Sequence, residues 1–215
     1  MTSPPVTLFY SFRSPYSWLG FHRARRALPA MGVELRCVPV FPPPGMVTAS
    51  TSTPRRLGYT LEDAGRMAAA YGLTARWPEE VDTEWVRPHG CAYWAAESGR
   101  GEDFIAAAFS ARFERGEDLG SAPVLTAIAL SIGLDGAACL AAADDPTRHG
   151  QVWQGMAEAQ AAGIFGVPTF VFAGQTFWGN DRLEWLMRAI GRARGESVPD
   201  LAADPLAYPC AGAAR

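Results

Sequence analysis

The stretch Val6-Thr7-Leu8-Phe9-Tyr10-Ser11-Phe12-Arg13-Ser14-Pro15-Tyr16-Ser17-Trp18-Leu19-Gly20 reads as a short apolar strand that turns within a few residues into a helix. A strand followed at once by a helix opens a βα unit, and Gly32-Val33-Glu34-Leu35-Arg36-Cys37-Val38-Pro39-Val40 supplies the parallel partner strand such a unit needs. Ser14-Pro15-Tyr16-Ser17 also has the spacing of a dithiol centre at a helix start, where the helix terminus and a neighbouring sulfur lower the first thiol's pKa. Hydroxyls stand in place of both sulfurs, so no electron pair can be exchanged through this motif. What remains is a hydroxyl at the positive end of a helix dipole, able to donate a hydrogen bond to an anion such as another molecule's thiolate. Taken alone, the motif favours a purely structural role: Ser caps free backbone amides, and Pro at the first helical position has no amide to leave unsatisfied.

Two C-terminal segments bear on that choice. Gly163-Ile164-Phe165-Gly166-Val167-Pro168-Thr169-Phe170-Val171-Phe172-Ala173-Gly174-Gln175 is an apolar run with a proline at its start, where it cannot interrupt a central ladder. With a cis Val167-Pro168 bond, the Val167 amide and carbonyl would face outward and offer an extended peptide a strand-like partner. In Phe177-Trp178-Gly179-Asn180-Asp181-Arg182-Leu183-Glu184-Trp185-Leu186, Asn180 or Asp181 can cap a helix carrying Leu183, Leu186, Met187 and Ile190 on one face.

Taken together, these segments resemble the 2-hydroxychromene-2-carboxylate isomerases, relatives of the kappa-class glutathione transferases and of the DsbA branch of the thioredoxin superfamily. The resemblance covers Val6 to about Gly20, a middle patch from Pro54 to Gly72, and Gly163 to about Ile190. It implies that Ser14 sits beside the sulfur of glutathione, that Val167 and Pro168 bind the tripeptide backbone, and that Asn180 and Asp181 hold its γ-glutamyl end. In the middle patch the residues matching the family are Arg56, Tyr59, Asp63 and Arg66. Relatives commonly have lysine at the Arg56 position; here all 19 basic residues are arginine, and Arg56 can pair with a glutathione carboxylate through two parallel donors. A second departure follows Trp77-Pro78, where relatives often place an asparagine and this chain has Glu79-Glu80-Val81-Asp82-Thr83-Glu84-Trp85. The implied reaction is thiol addition, bond rotation and elimination on an unsaturated aromatic carboxylate, with Ser14 contributing about 1–3 kcal/mol as a charge-assisted donor to the thiolate. Phe12, Tyr16, Ser17, Trp18 and Trp178 adjoin the motifs and could line an apolar substrate pocket. A homodimer is implied by the same resemblance. A kappa-type glutathione transferase, which would release the adduct, and a redox-silent peptide-binding protein or chaperone gripping chains at Val167-Pro168 are the alternatives.

Composition is consistent with a compact enzyme. The 215 residues, 48% hydrophobic, suffice for a sizeable core, and a net charge of −3 gives no reason to expect nucleic acid or acidic membranes as partners. Met1-Thr2-Ser3-Pro4-Pro5 lacks the basic start and apolar run of a signal peptide, and no run of about 18 apolar residues occurs, so a cytoplasmic location is expected. Cys37, Cys91, Cys139 and Cys210 have neither metal-ligand nor redox spacing. His22, His89 and His149 have no sequence partner that makes a triad or a metal site, so they read as surface or packing residues.

The expected fold is α/β, thioredoxin-like, with a helical domain inserted between the βαβ and ββα halves. Residues 1–45 and 163–195 would form the thioredoxin-like domain, 46–162 the insertion and 196–215 an extended tail. Strands are expected at Val6–Phe12 and Gly32–Val40, with a helix from Pro15 to about Ala30 between them. A Pro/Ser/Thr-rich loop over 41–45 and 48–54 leads to helices at Leu61–Tyr71, Gly90–Ser98, Asp103–Arg115, Pro123–Ile132 and about Thr147–Ala162. A hairpin around Gly174 and a helix from near Asp181 close the pattern.

Overall fold

The computed structural model of the protein describes residues 4–42 and 53–196. Its sheet has the order β2-β1-β3-β4. β1 (Val6–Tyr10) pairs in parallel with β2 (Leu35–Pro39), in register Val6 to Leu35. On its other side β1 pairs antiparallel with β3 (Thr169–Phe172), and β3 pairs antiparallel with β4 (Gln175–Trp178). The parallel pair is joined by α1 (Pro15–Ala27), which crosses over one face. Alternation along β1 buries both faces: Val6, Leu8 and Tyr10 enter the main core, whereas Phe9 packs with Val38 and Ala159 on the opposite side. The β3–β4 hairpin turns at Ala173 (φ 48) and Gly174 (φ 75), and positive φ at both central residues matches the twist of the flanking strands.

Between β2 and β3 the chain runs through α2 (Pro54–Ala70), α3 (Val86–Glu97), α4 (Gly101–Glu114), α5 (Ala122–Ser131), α6 (Gly136–Ala143) and α7 (Pro146–Ala161), and α8 (Leu183–Ala193) follows β4. One buried cluster joins Leu8 and Tyr10 of β1, Trp18 and Phe21 of α1, Phe104 and Phe109 of α4, and Leu186 and Ile190 of α8. The inserted helices therefore bury their apolar faces in the same core as the sheet.

β1 and β2 are shorter than the pattern reading and α3 begins at Val86 instead of Gly90; three further helix boundaries and one additional helix also differ from it. α1 ends at Ala27 because Pro29 has no amide to continue the i→i−4 ladder, although Leu28 keeps helical angles (φ −67, ψ −38), and a single 3-10 turn, Pro29–Met31, leads to Gly32. α2 begins at Pro54, where the Thr53 hydroxyl caps the Arg56 amide at 3.2 Å. α6 was not anticipated: Gly136–Ala143 is nearly all small residues and shows no amphipathic stripe, but the Asp135 carboxylate caps the Ala138 amide at 2.7 Å. α8 begins at Leu183, and neither Asn180 nor Asp181 caps it; both lie in a 3-10 turn, Asn180–Arg182, and Asn180 turns inward. The loop expected over 41–45 and 48–54 lies largely outside the described residues, as does the expected tail beyond Glu196.

This topology brings the end of β1, the end of β2 and the start of β3 to one edge of the sheet. α1 is held over that edge by a close approach at Gly20. A Cβ there would lie 3.1 Å from Pro168 Cγ and 3.5 Å from Asn180 Cβ. Gly20→Val should therefore lower stability by about 1–3 kcal/mol through overpacking, read as a lower urea midpoint with an unchanged m-value.

Candidate active site

Ser14 occupies the cap position of α1. Its backbone is extended (φ −98, ψ 116), and its Oγ accepts the Ser17 amide at 3.1 Å. Capping uses a lone pair and leaves the hydroxyl proton free to donate; accepting from an amide also polarises the O–H as a donor. The structural and functional roles of Ser14 therefore employ different parts of one group. The preceding turn is tied internally: the Ser14 amide donates to Ser11 O (3.1 Å), the Arg13 amide to Ser11 Oγ (3.2 Å), and the Ser11 amide to Ser17 Oγ (3.3 Å).

Two external ties fix the same turn. The Phe12 amide donates to His89 Nε2 of α3 at 3.4 Å, and His89 Nδ1 lies 2.6 Å from Trp85 O. The imidazole is fully buried between the rings of Phe12 and Phe41, and burial holds its pKa down from 6.5 to about 3. Arg13 reaches Asp82 through Nε (2.6 Å) and Nη2 (3.2 Å), and Asp82 also accepts Trp85 Nε1 at 3.2 Å; the Arg13 guanidinium holds the Asp82 carboxyl below its usual range. The segment from Glu79 to Glu84 is held from beneath by buried Arg112, whose Nη2 donates to the carbonyls of Glu80 (2.6 Å) and Val81 (2.8 Å) while its guanidinium lies over the Trp85 ring. Neither His89 nor Arg112 stood out in the sequence, because Phe12 lies 77 residues from His89, and Glu80 and Val81 lie 32 and 31 residues from Arg112.

Across the sheet edge, the Val167-Pro168 bond is cis, as the sequence reading anticipated. Val167 makes no backbone hydrogen bond to another described residue, whereas Pro168 O accepts the Gly179 amide at 2.8 Å. Asn180 is only 3% exposed and fully engaged: its carbonyl and Oδ1 accept Arg23 Nη1 (2.8 and 3.3 Å), Oδ1 lies 3.4 Å from the Tyr71 hydroxyl, and Nδ2 lies 3.2 Å from Met67 Sδ. It joins α1, α2 and the turn after β4. Asp181 is exposed beside Arg182.

The aromatic candidates separate. Phe12 and Trp18 are sealed in the core, Phe12 against His89 and Phe109 and Trp18 against Phe113, and Ser17 is wholly buried. Tyr16 stays partly open, its hydroxyl donating to Asp63 Oδ2 of α2 at 2.9 Å; burial and that carboxylate push its pKa up. Trp178 is half exposed, edge-on to exposed Phe165 at 4.9 Å, and its indole lies over Gly166 so closely that a Cβ there would come within 2.6 Å of Nε1. Arg56 is exposed on the first turn of α2. No cluster of three or more His, Cys, Asp or Glu that could hold a metal occurs among the described residues, and no described helix is long and apolar enough to cross a membrane.

The DsbA-like thioredoxin domain model matches residues 5–191. The chain belongs to that family. Within it, the chain is similar to the 2-hydroxychromene-2-carboxylate isomerase of Sphingobium xenophagum, 28% identical over 84% of this chain and 95% of the relative. The protein of that name from Pseudomonas putida is 25% identical over 87% and 94%. Among solved structures, a 2-hydroxychromene-2-carboxylate isomerase superposes with a TM-score of 0.78 at 22% identity, covering 88% of this chain and 95% of its own. The cytosolic disulfide reductase DsbM from Pseudomonas aeruginosa with GSH superposes with a TM-score of 0.61 at 16% identity, covering 86% and 99%. The DsbA-like fold is thus shared by proteins with different chemistries, and the residues at the sheet edge must distinguish them.

The His89 environment has a measurable consequence. The unfolded chain takes up a proton on this histidine as pH falls below about 6.5, and the folded protein resists doing so until about pH 3, so its contribution to stability is present above 6.5 and is lost progressively between those values. The urea midpoint of the wild type should fall more steeply from pH 7 to about pH 4 than that of His89→Gln, which cannot titrate. Parallel curves would contradict the buried neutral imidazole.

Proposed function

We propose that this DsbA-like protein is an isomerase of 2-hydroxychromene-2-carboxylate type that uses glutathione, or another low-molecular-weight thiol, as an unconsumed cofactor. One observation carries the reading: at the edge where a dithiol protein would present its first cysteine, this chain presents the Ser14 hydroxyl, its proton uncommitted by the cap, at the N-terminus of α1. The curated isomerase relatives support the same reaction class.

A bound thiol supplies a nucleophile that adds reversibly to an electron-poor double bond and departs once the bond has rotated. The protein's residues then have defined tasks. Ser14 donates its O–H to the sulfur, and the α1 dipole favours negative charge there. Val167 offers an amide and a carbonyl that no other described residue uses, which suits pairing with a tripeptide backbone. Asp181 and Arg56, both exposed, are the charged groups proposed for the two ends of the cofactor, while buried Asn180 acts by holding the turn that presents Asp181. Tyr16 and Trp178 are the aromatic groups open to an aromatic carboxylate. A cytoplasmic homodimer belongs to the same proposal. The exposed pair Phe165 and Trp178 beside Val167 favours one second reading, a redox-silent site for extended peptides.

Calorimetry with glutathione, followed by an isomerisation assay on a chromene-type carboxylate, tests the proposal. Saturable binding and thiol-dependent turnover are expected. Absence of binding by glutathione and by other cellular thiols would overturn it in favour of the peptide site. Protein with all four cysteines replaced should also show no insulin reduction above background, because Ser14 and Ser17 cannot form a disulfide.

A further inference from the structure

We propose that His89 is a positioning residue for Ser14, acting through the backbone amide of Phe12; the inference rests on the thiol-dependent reading above. Its geometry determines its tautomer. Trp85 O can only accept, so Nδ1, 2.6 Å away, carries the proton, and Nε2 is left bare. The Phe12 amide can only donate, and it meets that bare nitrogen at 3.4 Å. Both ring nitrogens are satisfied by the neutral imidazole.

Packing restrains the ring as well. Phe12 stacks on one side with centroids 4.5 Å apart and Phe41 on the other at 5.1 Å, so the imidazole sits between the exits of β1 and β2. The bonds also close a circuit: Phe12 N–H to His89, His89 to Trp85, Trp85 to Asp82 through the indole, and Asp82 to Arg13, the residue after Phe12. Arg13 precedes Ser14, and the Arg13 and Ser14 amides bond back to Ser11. The turn that aims the Ser14 hydroxyl is therefore anchored at Phe12 and Arg13 by groups on and before α3. Among Phe12, Phe41, Tyr10 and Phe109 an apolar side chain would pack without the desolvation that an imidazole incurs. The histidine supplies what an apolar residue cannot, an acceptor for the Phe12 amide.

Two substitutions separate the links. His89→Gln can place an acceptor near the Nε2 position and keep the bond to Phe12; His89→Asn can keep a donor near the Nδ1 position but leaves the Phe12 amide without a partner. Each variant and the wild type is titrated for the thiolate absorbance of bound glutathione and assayed for kcat and KM. His89→Asn should lower kcat about tenfold, leave KM within about twofold and raise the pKa of the bound thiol by about one, whereas His89→Gln retains at least about half of wild-type kcat. Equal behaviour of the two variants, or an unchanged kcat and thiol pKa in His89→Asn, overturns the proposal while leaving the parent reading intact. A wild type that binds no glutathione overturns both. If neither variant folds, histidine 15N spectra of the wild type decide: glutathione should shift the Nε2 resonance of His89, and an unmoved resonance refutes the link.

Discussion

The close approach of α1 to the strand pair at Gly20 sets the geometry on which the candidate site depends. Glycine removes the side chain that would otherwise hold the helix away from Pro168 and Asn180, leaving only 3.1 Å between a notional Cβ and the proline ring. The helix start that carries Ser14 and the β3 entry that carries Val167 therefore share one sheet edge. Asn180 closes the arrangement from the third side, bonded to Arg23 of α1 and Tyr71 at the end of α2. A loss of packing here would alter the relative position of the three segments before it altered any single one.

Within that frame, the substitution of hydroxyls for sulfurs changes what the DsbA-like fold can do. A serine pair cannot store electrons, yet Ser14 keeps its place at the helix N-terminus and has a hydroxyl proton that its cap does not use. Ser17 is withdrawn from any such chemistry, buried and accepting from Ser11, which leaves partly exposed Ser14 as the motif's other hydroxyl. Distant groups meet at the turn before Ser14: His89 and Asp82 bond residues 12 and 13, and Arg112 bonds the segment beside Asp82.

The parts of this arrangement encoded locally were legible in the sequence. The strand-to-helix handover at Ser14-Pro15, the proline opening β3 and the glycine turn of the hairpin each depend on a few neighbouring residues. The position of Gly20 in an otherwise ordinary helix was a signal left unused: a glycine inside a helical pattern often marks a close approach. Local sequence offers Asn180 as a helix cap and the family resemblance offers it as a cofactor contact, whereas tertiary contacts with Arg23, Tyr71 and Met67 turn it inward. Phe12 and Trp18 adjoin the motif in sequence but pack beneath it, a distinction that depends on α3 and α4. α6 escaped because a run of alanines and glycine has no apolar stripe to detect. His89 lies 77 residues from Phe12, and no spacing rule connects the two.

The central claim, that the cap of α1 is also the donor to a bound thiolate, is tested most directly by titrating glutathione bound to the wild type, Ser14→Ala and Ser14→Gly. Glycine is a tolerable cap, only a few tenths of a kcal/mol below serine, whereas alanine loses about 0.5–2 kcal/mol of stability, and neither has a hydroxyl. If Ser14 donates to the sulfur, the bound thiol's pKa rises by a similar amount in both variants despite their different stabilities. If the pKa is unchanged in both, Ser14 is a helix cap and nothing more.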